Sequence, residues 1–275
     1  SVALLPALAG AVSSEQRLQV LASVHPLGLV AASVVPADNL QILLPPGVTP
    51  HDFSLRPSDI DVIQNADVVF WAGAEAEPYL SGFARRWPDK VWIDVSDFAP
   101  PEDAGDDHHH GHDHHHHDPH WWLNPLQMVV AQARLASVLE QDPAPFRAAV
   151  EQQLQASALQ LEPLRNRGFF VFHRAWDHWV EYFGLLQKGS FTLTPEQKPG
   201  LKTLQTMRRQ LQQGEVVCVF SEPEFSPALV ESVVKGLPVK RGELDPMAQH
   251  IPLQADGYVQ YMADLTARFA DCLQP

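Results

Sequence analysis

Short apolar runs alternate with amphipathic stretches along most of this chain, and that alternation restricts its possible folds more than any other feature. Apolar runs of this length predict buried strands, while the stretches between them have the periodicity of helices. In the first half, the predicted strands are residues 19–23, 41–44, 68–71 and 91–94, and the predicted helices are residues 25–34, 57–65 and 77–86. The pattern is typical of an α/β fold with largely parallel sheets.

The alternation returns in the second half of the chain. Its predicted strands are residues 169–172, 216–220 and 238–240, and its predicted helices are residues 175–183, 201–213, 226–234 and 256–273. A chain of 275 residues also exceeds the usual size of one domain. We therefore predict two α/β lobes of similar size, at residues 15–141 and 168–275.

A long helix is predicted between the two lobes, within residues 142–167. Apolar residues recur there at near-helical spacing, namely Phe146, Val150, Leu154, Leu161 and Leu164. A helix of about 20 residues extends about 30 Å, which is long enough to join two lobes. Pro163 is expected to kink the end of this helix, because proline lacks the N–H that a helix interior requires.

The start of the chain and its two cysteines bear on the compartment. Residues 1–14 carry no charged side chain and end in small residues, so we interpret them as the remainder of a secretory signal peptide, with an apolar first strand as the alternative. No later run of apolar residues is as long as the about 18 residues that a membrane span requires. In an oxidising compartment Cys218 and Cys272 could form a disulfide, and two separate buried thiols are the alternative.

Charge and histidine content narrow the class of ligand. The chain has 33 acidic and 19 basic residues and a net charge of −14, which disfavours nucleic acid and anionic lipid and favours cations. Eight of the 14 histidines lie between His108 and His117. Residues 98–118 have no apolar periodicity and predict a long loop, with the histidine-rich part at residues 102–117. That part could bind Zn²⁺ weakly, and the alternatives are a solvated spacer and a purification tag.

Three further histidines occupy positions suited to metal binding. His51 follows a Pro-Pro-Gly turn, His120 lies between the predicted loop and the start of a helix, and His173 follows a predicted strand. Ligands of open α/β sheets gather beyond the carboxyl ends of the strands. Three neutral imidazoles suit Zn²⁺ and leave a fourth position for a carboxylate or water. Each histidine alone is more often a structural residue, and their spacing does not by itself show that they converge.

Four segments around these residues resemble the metal-site segments of the zinc-specific substrate-binding proteins of ABC transporters, in that family's order. The segments are residues 44–59, 118–125, 171–176 and 243–246. The resemblance implies two lobes bridged by one long helix, with Zn²⁺ in the cleft between them. It implies His51, His120 and His173 as ligands, and it makes Asp245 available as the fourth. Because Pro50 stands where some members have a glutamate ligand, the fourth position stays open to Asp245 or water.

The resemblance also implies a function, the high-affinity capture of Zn²⁺ by a periplasmic monomer that delivers it to the membrane permease of an ABC transporter. His173 favours zinc over manganese, since manganese-binding relatives generally carry a carboxylate at that position. Two other functions stay open, a zinc hydrolase, which also uses three histidines, and a free zinc buffer. The chain lacks the H-E-x-x-H and G-x-S-x-G motifs, and we expect no enzymatic activity.

Overall fold

The computed structural model describes residues 17–99, 118–194 and 197–275. The first lobe contains the strands β1 (Val20–Ala22), β2 (Leu40–Ile42), β3 (Val68–Trp71) and β4 (Val91–Asp94), and the helices α1 (His25–Ala31), α2 (Pro57–Asn65) and α3 (Pro78–Arg86). Its four strands form one parallel sheet in the order β2-β1-β3-β4. Every residue of the central strands β1 and β3 is buried, as expected for a parallel sheet covered on both faces.

The second lobe contains another parallel sheet of four strands. The strands are β5 (Phe169–His173), β6 (Gln187–Thr192), β7 (Cys218–Ser221) and β8 (Lys240–Glu243), in the order β6-β5-β7-β8. Two helices, α4 (Pro125–Val138) and α5 (Ala144–Leu161), lie between the sheets in sequence, and the helices of the second lobe are α6 (Asp177–Phe183), α7 (Leu201–Gln212), α8 (Ala228–Val234) and α9 (Gly257–Leu273). The predicted α/β fold with two parallel sheets is confirmed.

The largest apolar core is continuous across both lobes. It joins Val20 and Phe70 of the first sheet to Phe169 and Phe220 of the second. Two smaller cores cover the outer faces of the two sheets. Because buried apolar packing resists displacement, this shared core restricts movement of one lobe against the other.

The helices α5 and α9 form the centre of that shared core. The helix α5 ends at Leu161 and continues as a 3₁₀ turn over Glu162–Leu164, in agreement with the effect expected of Pro163. The helix α9 packs along α5 and also contacts α1 and β8, so it touches both lobes. Its first residue, Gly257, lies so close to α1 that an added Cβ would be 2.9 Å from Leu29 Cδ2.

Three strands of the second sheet differ from the predictions, and one of them, β7, begins at Cys218 rather than at residue 216. The strand β6 was not predicted, because its sequence is mostly polar and it forms an edge that is only partly buried. The strand β8 begins at Lys240 rather than at residue 238, since its own residues are exposed or half-buried and give no apolar signal. The expected disulfide is present and joins Cys218 of β7 to Cys272 of α9.

Two predictions fall outside the described residues. These are the signal peptide remainder at residues 1–14 and the histidine-rich loop at residues 102–117. Within the part that is described, every helix is too short or too polar to cross a bilayer.

Candidate metal centre

The structure brings three of the four predicted ligand residues together. Each of His51, His120 and His173 offers a ring nitrogen, and these nitrogens lie within 4.8 Å of one another. The Nε2 atom of His120 is 3.3 Å from Nε2 of His51 and 3.3 Å from Nε2 of His173. A tetrahedral Zn²⁺ with bonds of about 2.0–2.1 Å to nitrogen would separate its ligand atoms by about 3.3–3.4 Å. The spacing of the three rings therefore fits one zinc ion.

The position of His173 follows from the order of the second sheet. His173 ends β5, and Glu222 directly follows β7, the neighbouring strand, so both side chains lie at the same sheet edge. Both carboxylate oxygens of Glu222 are 2.7 Å from Nδ1 of His173. Burial raises the pKa of Glu222 to about 8, against the opposing effect of the His173 backbone N–H. A hydrogen bond at Nδ1 directs the Nε2 lone pair toward the centre.

A second carboxylate orients His120. Asp118 accepts hydrogen bonds at Oδ1 from Nδ1 of His120, at 2.5 Å, and from the His120 backbone N–H, at 3.0 Å. Its Oδ2 accepts from the backbone N–H of Asp177 at the start of α6, at 3.1 Å. Burial alone would raise the pKa of Asp118, but the charge of His120 and its hydrogen bonds outweigh that effect and lower the pKa. The ring of His120 is thereby fixed to the second lobe.

His51 is carried by the first lobe and is the least buried of the three histidines. It lies in the segment between β2 and α2, which has no regular structure. The turn before it requires Gly47, whose φ of 76° lies in the left-handed region that side chains disfavour. His51 of the first lobe thus meets two histidines from distant parts of the chain.

Asp245 lies outside the group of three ring nitrogens. It follows β8 and is buried, and its carboxylate accepts the backbone N–H groups of Met247 and Gln249, each at 2.8 Å. Nδ1 of His250 is 3.4 Å from Oδ2 of Asp245. The structure thus shows this carboxylate shaping its own loop, and its role as a fourth ligand stays a prediction.

The sequence matches the family model of the zinc-uptake complex component A, periplasmic (ZnuA), over residues 20–272. The chain belongs to the ZnuA family. The high-affinity zinc uptake system protein ZnuA of Yersinia pestis is 34% identical over 293 residues, an alignment that covers 93% of this chain and 91% of the relative. This match confirms the family that the four sequence segments resemble.

Solved structures show the same fold at lower sequence identity. The laminin-binding adhesin Lmb of Streptococcus agalactiae, solved as a mutant, has a TM-score of 0.78 and 19% identity, over 94% of this chain and 100% of the adhesin. The periplasmic zinc binding protein TroA of Treponema pallidum has a TM-score of 0.77 and 17% identity, over 94% of this chain and 100% of TroA. The two-lobe architecture of this ZnuA-family chain is therefore shared with these proteins.

Aromatic side chains join the loops of this ZnuA-family site. The ring of Trp122 lies 5.3 Å from that of His120, and its Nε1 donates to the carbonyl oxygen of Pro246 at 2.7 Å. Two tyrosines of α9 donate hydrogen bonds of 2.8 Å, Tyr258 to the carbonyl oxygen of Trp122 and Tyr261 to that of Asp245. The loop that holds His120 and the loop that holds Asp245 are thus fixed to the same helix.

The sequence reasoning missed the two carboxylates that orient the rings, Asp118 and Glu222. Asp118 is in one of the segments that resemble the family, and its position two residues before His120 was the available signal. Glu222 follows a predicted strand, but its relation to His173 depends on the pairing of β7 with β5. That pairing could not be read from the sequence.

The acidic groups around the histidines favour a cation over an anion. Glu224 is half-buried, and burial together with the charge of Asp245 raises its pKa to about 8. Asp118 and Glu222 add carboxylates in direct contact with the rings. A divalent cation at the imidazole nitrogens would stabilise the charged forms of these carboxyl groups, so the site favours a cation over an anion.

Proposed function

We propose that this protein captures Zn²⁺ in the periplasm and delivers it to the membrane permease of an ABC transporter. The observation that carries the proposal is the spacing of the Nε2 atoms, 3.3 Å from His120 to each of the other two histidines. The relatives that are named as zinc uptake proteins support zinc as the metal and uptake as the process. The periplasmic location and the permease partner are extended from the family to this chain.

The proposed ligands are His51, His120 and His173. The fourth position is open to Asp245 or to water, as the sequence left it. Because two ring orientations are already fixed by carboxylates, Zn²⁺ has only to displace protons and water at the Nε2 atoms.

The proposed organisation has a first lobe at residues 15–141, a linking helix within residues 142–167 and a second lobe at residues 168–275. The histidine-rich loop at residues 102–117 would bind further Zn²⁺ weakly and supply it to the cleft. The protein would act as a monomer, since one chain provides all the proposed ligands.

No enzymatic role is proposed. The two carboxylates that contact the histidines, Asp118 and Glu222, are hydrogen-bonded to the Nδ1 atoms, away from the nitrogens that face the centre. A hydrolase would need a base positioned beside a metal-bound water. These carboxylates instead orient the rings.

The proposal is tested by zinc titration against a competing chelator. The full chain should hold one tight equivalent, and His120→Ala should remove it. The matched control is His25→Ala, because Nε2 of His25, the first residue of α1, hydrogen-bonds to the Ile251 carbonyl oxygen and His25 lies outside the group of three. A tight equivalent that survives His120→Ala would contradict the proposed site.

Transport requires a separate test in cells. Growth of a deletion strain in chelated medium should be restored by the normal chain and not by His120→Ala. If the normal chain binds zinc tightly but fails to restore growth, the protein is a zinc buffer rather than the capture subunit of an importer.

A further inference from the structure

A buried carboxylate ties the ends of the central strands of the first sheet to α3. Glu77 immediately precedes α3 and is fully buried. Its Oε2 accepts hydrogen bonds from the Ser23 hydroxyl at 2.6 Å and from the Ala72 backbone N–H at 2.7 Å. Ser23 directly follows β1 and Ala72 directly follows β3, so Glu77 joins the carboxyl ends of both strands.

The second oxygen of Glu77 connects this carboxylate to Tyr79 of α3. Oε1 accepts a hydrogen bond of 2.8 Å from the hydroxyl of Tyr79. The ring of Tyr79 meets the ring of Phe53 edge to face, with centroids 5.1 Å apart and an interplanar angle of 72°. Phe53 is two residues beyond His51. A line of contacts therefore runs from the strand ends to the segment that carries this histidine.

Phe53, in the segment between β2 and α2, contacts two separate apolar cores. Val48 packs against the core on one face of the first sheet and Leu55 against the core on the other, whereas Phe53 packs against both. The start of the segment is held by the backbone bond from Leu44 to Ser23. Phe53 therefore holds the middle of the segment, where His51 lies, against both cores.

We infer that Glu77, Tyr79 and Phe53 form a support that positions the His51 imidazole at the metal centre. The inference rests on the proposed function, since it takes His51 to be a ligand. The hydrogen bond to the buried carboxylate fixes the Tyr79 ring, and the fixed ring sets the place of Phe53. These residues act through His51 and do not touch the metal.

The test is the zinc affinity of Phe53→Ala and Tyr79→Phe, measured on the full chain by chelator competition. Phe53→Ala should weaken binding of the tight equivalent by about 10- to 100-fold, the range for residues that orient a ligand. Tyr79→Phe keeps the ring and removes the bond to Glu77, and it should weaken binding by at least about threefold. One equivalent of Co²⁺ should lose part of its tetrahedral absorption in both variants.

A matched control and a double substitution separate positioning from general damage. Phe83 lies on the same α3 and pairs with the Trp87 ring at 5.3 Å, so Phe83→Ala removes a comparable aromatic contact and should leave zinc affinity within about twofold of normal. In a chain that already carries His51→Ala, Phe53→Ala should cause no further loss of the residual zinc affinity. If Phe53→Ala does not fold, Tyr79→Phe with the same His51→Ala background carries the test.

Three results would count against these ideas in distinguishable ways. Normal zinc affinity in both Phe53→Ala and Tyr79→Phe overturns the proposed support. An equally large loss of affinity when either substitution is added to His51→Ala overturns it as well. Tight binding by His51→Ala alone overturns the proposed metal site itself.

Discussion

Glu222 lies 2.7 Å from the Nδ1 atom of His173, although 49 residues separate the two in sequence. The contact exists because β5 and β7 are neighbours in the second sheet and both end at the same edge. The carboxylate lies behind the imidazole and holds it so that Nε2 faces the other two histidines. The contact orients His173 and leaves Glu222 outside the set of proposed ligands.

Glu222→Gln should weaken zinc binding by about tenfold, because bound Zn²⁺ favours the charged form of Glu222, and an amide is a poorer acceptor than that carboxylate for the Nδ1–H group. Chelator competition at pH 7 measures the change. Glu231→Gln is the control, since Glu231 is exposed and pairs with Arg241 at the surface. Equal affinities of the Glu222 variant and the normal chain would exclude a role for this contact.

Asp245→Asn should retain one zinc ion, with affinity reduced by no more than about tenfold. The reason is that the Asp245 carboxylate already accepts two backbone N–H groups of its own loop, and asparagine keeps one acceptor oxygen. The measurement is a titration beside His173→Ala, which should lose tight binding. A loss as large as that of His173→Ala would instead identify Asp245 as the fourth ligand.

Zinc affinity should fall as the pH decreases through about 6, because the imidazoles must be neutral to coordinate the metal. Protons and Zn²⁺ compete for the same Nε2 atoms, so the decrease should become steeper as more than one ring is protonated. Affinities measured at several values between pH 5 and pH 8 test this. Undiminished affinity at a pH of about 5 would contradict coordination by three histidines.

The stability of the metal-free protein should depend on Glu77. Burial raises the pKa of Glu77 to about 7, while the same carboxyl in the unfolded chain has its usual pKa of about 4.3. Between these values the folded state binds more protons, so the contribution of Glu77 to stability is complete below pH 4 and is lost as the pH rises through about 7.

Glu77→Gln removes this titration and also weakens the hydrogen bonds from Ser23 and Tyr79. At pH 5 the free energy of unfolding of the variant should be lower than that of the normal chain. At pH 8 this gap between the two free energies should be smaller by about 1–3 kcal/mol. Urea unfolding at the two pH values measures the gap. A gap of the same size at both would show that Glu77 has the same charge in the folded and unfolded states.

The strands that the sequence predicted well are those with apolar sequences, which are the central β1, β3 and β5 and the edge strand β4. β1, β3 and β5 are buried on both faces, so each is a continuous apolar run that stands out from its flanks. The edge strands β6 and β8 bury few side chains and have polar sequences, so apolar pattern cannot locate them. Edge position is a property of the sheet and not of the segment.

Some residues of the candidate site could likewise be predicted from the sequence, and others could not. His51, His120 and His173 could be chosen from the sequence because each lies beside a strand end or helix start and within a segment that resembles the family. The contacts of Glu222 and Tyr79 depend on which strands are adjacent and on how side chains from distant segments meet. Tertiary packing decides these contacts, and a single sequence does not reveal it.

The close approach of Gly257 to Leu29 has a consequence for the order in which the chain can pack during synthesis. More than 200 residues separate the two, so a ribosome makes all four strands of the first sheet long before α9 can pack on α1. The amino-terminal lobe therefore lacks its contacts with α9 until the end of the chain has been made, although such lobes usually fold first. The last helix of the polypeptide thus completes the packing of its first one.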